Sequence, residues 1–292
     1  DLLDQHGLGV PANGKGRAVW IALGYALAEG GSHMVALHDS DIVNYEREML
    51  ARLCYPIASP ELNYEFSKGY YSRVNGRIYG RVTRLFVTPL LRALQRVFGC
   101  EDVLVFLDSF RYPLAGEFAL TTDLARNNRL AGGWGIDFGL LSEVYRNCSP
   151  RRVCQVGLAE SYEHKHQPIS EDDPENGLFK MSIDITHTCF RTMAIEGTVF
   201  SEGIVDTLQA AYQEIAQDMV ERYRHSAALN NLPFDRRQED LAVRTFARGL
   251  RLGGVSYLEQ PLGQPALPSW NQVTSALPDF PAMLLDAVEA DA

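Results

Sequence analysis

Apolar residues first recur with helical spacing just after Gly14-Lys15-Gly16, where Ala18, Ile21, Ala22, Tyr25 and Ala26 mark one face of a helix over residues 17–29. The pattern then changes. Met34, Val35, Ala36 and Leu37 form an unbroken apolar run, as expected of a buried strand in a parallel sheet, and lead into His38-Asp39-Ser40-Asp41. A helix is expected from about 45 to 53, ending before Pro56. Residues 62–73 alternate and are rich in aromatics, as a strand is. Residues 80–98 place Val82, Leu85, Phe86, Leu90, Leu91, Leu94 and Val97 on one side of a long amphipathic helix, bent at Pro89. A short strand fits 103–106, helices fit 117–129 and 136–146 around the turn Gly132-Gly133-Trp134-Gly135, and 152–158 reads as the last strand. Beyond the polar stretch 167–177 the spacing is helical throughout, with Ile204, Leu208, Ala211, Tyr212, Ile215, Met219 and Tyr223 in one stripe and 241–252 continuing the theme. The Pro-rich tail at 261–281 is expected either to pack against the body or to be partly mobile. The expected class is therefore α/β, with a sheet-bearing domain over 1–170 and a mainly helical region over 171–292.

Composition narrows the function. At 292 residues and 46% hydrophobic, the chain has material for one large core or two modest ones. A net charge of −10 argues against nucleic acid or an anionic membrane held by charge alone, so an anionic small substrate must be met by local basic residues. The five cysteines are odd in number and lack Cys-x-x-Cys spacing, which fits reduced thiols in a cytoplasmic protein rather than a disulfide frame or a zinc site. No apolar run approaches membrane-spanning length and no signal peptide is visible. The start, Asp1-Leu2-Leu3-Asp4 and a Gly/Pro-rich loop, is a poor opening for an α/β domain, so a preceding strand and loop are expected outside this chain.

Five segments carry candidate chemistry. Asp39 and Asp41 leave the end of a strand, where ligands of open α/β sheets lie, and two carboxylates one residue apart can share a hard divalent cation that neutralises a diphosphate. The same Asp-Ser-Asp also makes an ordinary Asx turn. Lys15, between two glycines before a helix, suits a nucleotide or a solvated loop. Gly80-Arg81-Val82-Thr83 opens a long helix with free N–H groups, a guanidinium and a hydroxyl, suited to a phosphate or equally to a plain cap. Glu117, at a Gly-hinged helix start, could hold sugar hydroxyls or simply favour the helix dipole. His164 and His166 follow the last strand and point oppositely if extended, so at most one joins a given metal.

Taken in order, Gly14-Lys15-Gly16-x-Ala18-x-Trp20, Asp39-Ser40-Asp41, Lys68-x-x-Tyr71-x-Arg73, Gly80-Arg81-Val82-Thr83 with Pro89-Leu90-Leu91, Pro113-Leu114-Ala115-Gly116-Glu117-Phe118-Ala119, Gly135-x-Asp137-x-Gly139-Leu140-Leu141, Gln155-Val156 and His164-Lys165-His166-Gln167-Pro168 resemble the retaining glycosyltransferases that form glucosyl-3-phosphoglycerate and their mannosyl-transferring relatives. The resemblance covers roughly residues 14–170. It implies a GT-A fold, a Rossmann-like nucleotide-sugar-binding sheet with a helical extension. It implies Mg²⁺ or Mn²⁺ on Asp41 and His164 with Asp39 beside the metal or ribose. Lys15, Asp39, Ser40, Asp41 and Glu117 would face the donor, and Gly80, Arg81 and Thr83 the phosphate of the 3-phosphoglycerate acceptor. Asp41 and Glu117 would be the catalytic carboxylates. A homodimer formed through the helical half is also implied, and the apolar stripe at 204–223 offers a face for it. The family's opening strand is not in this chain, and Tyr162 stands where the family has an arginine.

The activity expected is transfer of glucose from a nucleoside-diphosphate sugar, UDP-glucose before others, to 3-phosphoglycerate, giving a compatible-solute or polysaccharide precursor. The nearest rival changes the sugar to mannose and the donor to GDP-mannose. A nucleotidyltransferase would need a Gly-rich pyrophosphate loop not seen here, and Asp39, Asp41, Glu117 and His164 count against a non-catalytic sugar-nucleotide-binding protein.

Overall fold

The computed structural model describes residues 2–8, 14–72, 74, 76–160, 173–262 and 266–291. Its sheet has four strands: β1 (Met34–Leu37), β2 (Phe66–Tyr71), β3 (Phe118–Thr121) and β4 (Val153–Ala159), in the order β1-β3-β2-β4. β3 runs antiparallel to both neighbours, with Val35 opposite Leu120 and Phe66 opposite the same residue on the other side. Only β2 and β4 are parallel, Phe66 pairing with Val153. The α/β class stands, but the sheet is mixed, and β1 is a half-buried edge strand rather than a buried strand among parallel neighbours. A four-residue apolar run carries no information about the direction of its partner.

Several elements differ from the sequence pattern for physical reasons. Residues 117–129 are not one helix. Phe118, Ala119 and Leu120 are buried between two strands, and the helix begins only after Thr121, whose side chain accepts from the Leu124 N–H at 3.3 Å. Pairing on both edges overrides the helical preference of Ala and Leu. Conversely, 103–106 is helical, within a helix over Asp102–Asp108 that buries Val103, Leu104 and Leu107 and leaves Val105 exposed. The helix after β1 spans Arg47–Ala58 and tolerates Pro56 in its last turn.

The long helix at 80–98 is irregular where Pro89 sits. Thr83–Val87 forms a π-helical turn, followed by α-helix over Thr88–Phe98. Pro89 has no N–H for the Leu85 carbonyl and its ring crowds that oxygen. The buried Tyr212 hydroxyl donates to it instead, at 2.6 Å.

In chain order the helices are α1 (Leu2–Gln5), α2 (Lys15–Glu29), α3 (Arg47–Ala58), α4 (Thr88–Phe98), α5 (Asp102–Asp108), α6 (Thr122–Asn127), α7 (Ile136–Asn147), α8 (Gly177–Ile195), α9 (Glu202–Leu229), α10 (Arg236–Glu259), α11 (Trp270–Ala276) and α12 (Phe280–Asp291). The main hydrophobic core runs from Leu3 to Leu284 and crosses residue 170 without a break. α9 packs on α4, on the π-helical turn and on α10, which buries Leu208, Tyr212, Ile215 and Met219 within the one chain. The stripe that offered a dimer face is thereby covered by the chain itself. The tail packs too. Trp270 on α11 stacks on Trp20 of α2 at 4.4 Å between ring centroids, donates to the Trp20 carbonyl at 3.0 Å, and leaves no room for a Cβ at Gly24.

Candidate functional site

The chain leaves β1 at Leu37 and turns through His38-Asp39-Ser40-Asp41 at the rim of a cleft of about 370 Å³. Two glycines make that approach possible. A Cβ at Gly116 would lie 2.3 Å from an Asp39 carboxylate oxygen, and one at Gly16 would lie 1.9 Å from the Ala131 carbonyl, so the start of α2 presses on the 131–132 loop. The Gly-Lys-Gly motif therefore sets Lys15 in place by close packing.

Lys15 bridges Asp39 at 2.9 Å and Asp137, in the first turn of α7, at 3.4 Å. Burial works against its charge, yet Asp137 and Asp39, with Glu117 behind them, outweigh it and raise its pKa above the ordinary lysine value. Beneath them, Lys68 on β2 is 1% exposed and donates to the Ala115 carbonyl at 2.5 Å. Its pKa is pushed down to about 8 by burial, against the pull of Asp137 and Glu117. Asp137 is 4% exposed, and burial raises its pKa despite Lys15 and Lys68. Glu117 is fully buried, and its Oε1 lies 3.4 Å from the Asp39 N–H. Three carboxylates thus surround two ammonium groups, and the Asp137 Oδ1 is buried without a hydrogen-bond partner among the described residues.

The opposite wall begins at Gly80, whose φ of +73° suits glycine, and continues through Arg81 and Val82. Arg81 donates through Nε to Glu239 of α10 at 3.3 Å. Arg84, one turn on, holds the same carboxylate with both terminal nitrogens, at 2.9 and 3.2 Å, and stacks over Tyr223. Glu239 thereby clamps two guanidinium groups from the helical half.

Of the residues singled out from sequence, Lys15, Asp39, Asp41, Gly80 and Arg81 line one cleft. Ser40 is exposed in the turn, outside the cleft lining. Glu117 lies under the floor, off the cleft lining, with its carboxylate against the Asp39 backbone and its charge felt by Lys15 and Lys68. Thr83 is buried in the π-helical turn, also off the lining, with no hydrogen-bond partner for its hydroxyl among the described residues. His164, His166 and Tyr162 lie outside the described residues. Sequence reasoning gave no role to Asp137, Lys68, Arg77, Tyr79, Trp134 or Glu239, although Asp137 and Lys68 fell within quoted motifs. A lysine inside an otherwise buried strand was the one local signal for Lys68.

Among the described residues no three His, Cys, Asp or Glu side chains form a ready cation cluster. The donors present still suit a hard divalent cation. Asp39 and Asp41 offer carboxylate oxygens on the cleft rim, the surrounding acids outnumber the buried amines, and the unpartnered Asp137 oxygen marks unsatisfied acceptor capacity nearby.

No family model matches the chain. It is 47% identical over 289 residues to glucosyl-3-phosphoglycerate synthase of Persephonella marina, covering 99% of this chain and 72% of that protein. It is 43% identical over 283 residues to the protein of the same name from Methanococcoides burtonii, covering 95% and 68%. The crystal structure of glucosyl-3-phosphoglycerate synthase from Mycobacterium tuberculosis with Mn²⁺, uridine diphosphate and phosphoglyceric acid superposes with a TM-score of 0.50 at 28% identity, over 66% of this chain and 58% of that one. With near-complete coverage of this chain at such identity, the chain belongs to the glucosyl-3-phosphoglycerate synthase family.

Proposed function

We propose that this protein moves glucose from UDP-glucose to 3-phosphoglycerate with retention at the anomeric carbon, giving glucosyl-3-phosphoglycerate. The observation that carries the reading is the meeting in one cleft of Lys15, Asp39 and Asp41 with the helix start at Gly80 and Arg81. A sugar nucleotide needs the first set and an anionic acceptor the second. Mg²⁺ or Mn²⁺ is proposed on Asp41 and Asp39, with His164 as a further donor. Such a cation would neutralise charge developing on the departing diphosphate.

The chain's own groups do the rest. Lys15, kept charged by its carboxylate neighbours, stands where the donor's diphosphate and sugar meet. Asp137 is the buried carboxylate on the cleft wall and takes the sugar-facing position, with Glu117 supporting Asp39 from below. Ser40 flanks the donor pair. Arg81 uses Nε for Glu239, which leaves its terminal nitrogens for the acceptor phosphate, while Gly80 adds backbone and Thr83 stands behind. With no assigned nucleophile, the acceptor hydroxyl attacks from the face the diphosphate leaves, and that diphosphate takes its proton.

Among the described residues no helix is long and apolar enough to cross a membrane. A cytoplasmic site and a homodimer are proposed on family resemblance, the 204–223 stripe being covered within the chain. Light scattering at low micromolar concentration tests the dimer, and a mass of 32.6 kDa rather than twice that rejects it. The reaction is tested by sugar-nucleotide turnover with and without 3-phosphoglycerate in the presence of Mg²⁺. UDP-glucose should be consumed only with acceptor. Preference for GDP-mannose would change the sugar, and acceptor-independent or absent turnover would overturn the reading.

A further inference from the structure

α8 meets the catalytic cleft in two ways. Leu178 and Met181, near its start, line the cleft directly. Further along, Asp184 and Thr188 lie one turn apart on one face and press on the turn at 131–135, which leads into α7. That turn carries Trp134, and α7 presents Asp137 in its first turn; both line the cleft. Asp184 is off the lining and can act only through the turn.

Two helices hold this turn. Towards α2, a Cβ at Gly16 would lie 1.9 Å from the Ala131 carbonyl oxygen. Towards α8, a Cβ at Gly133 would lie 2.9 Å from Asp184 Oδ2, and one at Gly135 would lie 2.1 Å from Thr188 Oγ1. Glycine at these positions permits an approach that a side chain would block. The polar tie is the Trp134 N–H, which donates to Asp184 Oδ2 at 3.3 Å. Lys180 donates to Oδ1 of the same carboxylate at 2.7 Å and so fixes its rotation. Asp184 is 6% exposed and Trp134 38%, so a nearly buried charge anchors the backbone of a side chain that stands in the open cleft.

We propose that Asp184 is a positioning residue for the donor side of the cleft. Through the Trp134 N–H it sets where the Trp134 ring stands and where α7 presents Asp137 to Lys15 and the sugar. The proposal rests on the reading of this cleft as the site of glucose transfer. Losing the contact frees the turn on its α8 side, while Arg81 on the opposite wall keeps its own support from Glu239.

Kinetics of the full-length chain test it, with UDP-glucose and 3-phosphoglycerate varied in turn. Asp184→Ala should raise the donor KM about fivefold or more, the order expected for one lost hydrogen bond, and leave the acceptor KM within about twofold. Asp184→Asn keeps an oxygen acceptor for the Trp134 N–H and should bring the donor KM back to within about twofold of wild type. Acrylamide quenching of tryptophan fluorescence gives a reading independent of activity, since Trp20 and Trp270 are buried and Trp134 is open to the quencher. Quenching should increase in Asp184→Ala and return to the wild-type level in Asp184→Asn. An unchanged donor KM in Asp184→Ala, an equal rise in both KM values, or an asparagine variant no better than alanine overturns the proposal. Should Asp184→Ala fail to fold, Gly133→Ala decides: its Cβ displaces the carboxylate from the turn, and an unchanged donor KM there overturns the proposal. If the wild type turns over no UDP-glucose, the proposed reaction falls, and the acrylamide comparison decides for Asp184.

Discussion

Replacing Lys68 by methionine should make the stability of wild type minus that of the variant rise with pH. The Lys68 amine is buried in β2 among Asp137, Glu117 and Lys15, and its pKa falls from 10.5 to about 8, with burial the largest cause. Below pH 8 it is charged in both folded and unfolded chains. Between 8 and 10.5 the unfolded chain holds a proton that the folded one has released, so stability rises with pH over that window. A shift of this size at about 1.4 kcal/mol per unit amounts to roughly 3 kcal/mol. Other groups pull the opposite way: Cys148 and Cys189 are pushed up to about 12 by burial, so wild type and variant alike lose stability above pH 9. The difference between the two proteins cancels that common loss. Urea unfolding followed by tryptophan fluorescence at pH 7, 8, 9 and 10.5 measures it. The gap should shift by about 3 kcal/mol in favour of wild type from pH 8 to 10.5. A wild-type-minus-variant stability that is flat or falls over this range would show that Lys68 is not held as a desolvated amine, and the charge layout under the cleft would have to be redrawn.

Asp41→Ala should abolish turnover without lowering Tm, because Asp41 is exposed on the cleft rim; full activity after EDTA treatment would remove the metal role. Arg81→Ala should raise the acceptor KM tenfold or more, from the roughly 1.5–3 kcal/mol typical of a charged hydrogen bond, with donor KM unchanged; an unaltered acceptor KM moves the acceptor elsewhere. Gly24→Ala should lower stability in urea unfolding even though alanine favours helix by about 1 kcal/mol, since its Cβ would fall 1.8 Å from a Trp270 ring carbon; a stabilised variant would refute the packing.

Local pattern found what is local. The helix over Lys15–Glu29, strands β2 and β4 and the helices after residue 177 follow from spacing, and the Asp39–Asp41 turn follows from its place at a strand end. Strand direction did not, because β1 owes its antiparallel partner to Phe118–Thr121, and that segment reads as helix until two flanking strands claim its backbone. Glu117 reads as the acid of a helix start, whereas it precedes strand β3 and its depth is fixed by Gly69, where an added Cβ would sit 2.9 Å from Cβ of Glu117. Asp137 stands in the sequence only as part of the Gly135-x-Asp137 motif, and the fold brings Lys15 to it across 122 residues.

The helices of the second half follow from spacing, but their contacts with the Gly80–Arg81 wall of the cleft do not. Pro89 cannot serve the Leu85 carbonyl, and the group that does, Tyr212, lies 127 residues away on α9. Arg81 and Arg84 meet Glu239 across 158 and 155 residues. Glu239 and Arg84 are nearly buried, and breaking a buried pair by removing one partner costs about 3–5 kcal/mol. A lone charge in that position would pull the π-helical turn, and Arg81 with it, towards water. The second half of the chain therefore belongs to the site: α9 supplies the hydrogen bond that lets the irregular turn form, and α10 supplies the carboxylate that fixes where its arginine points.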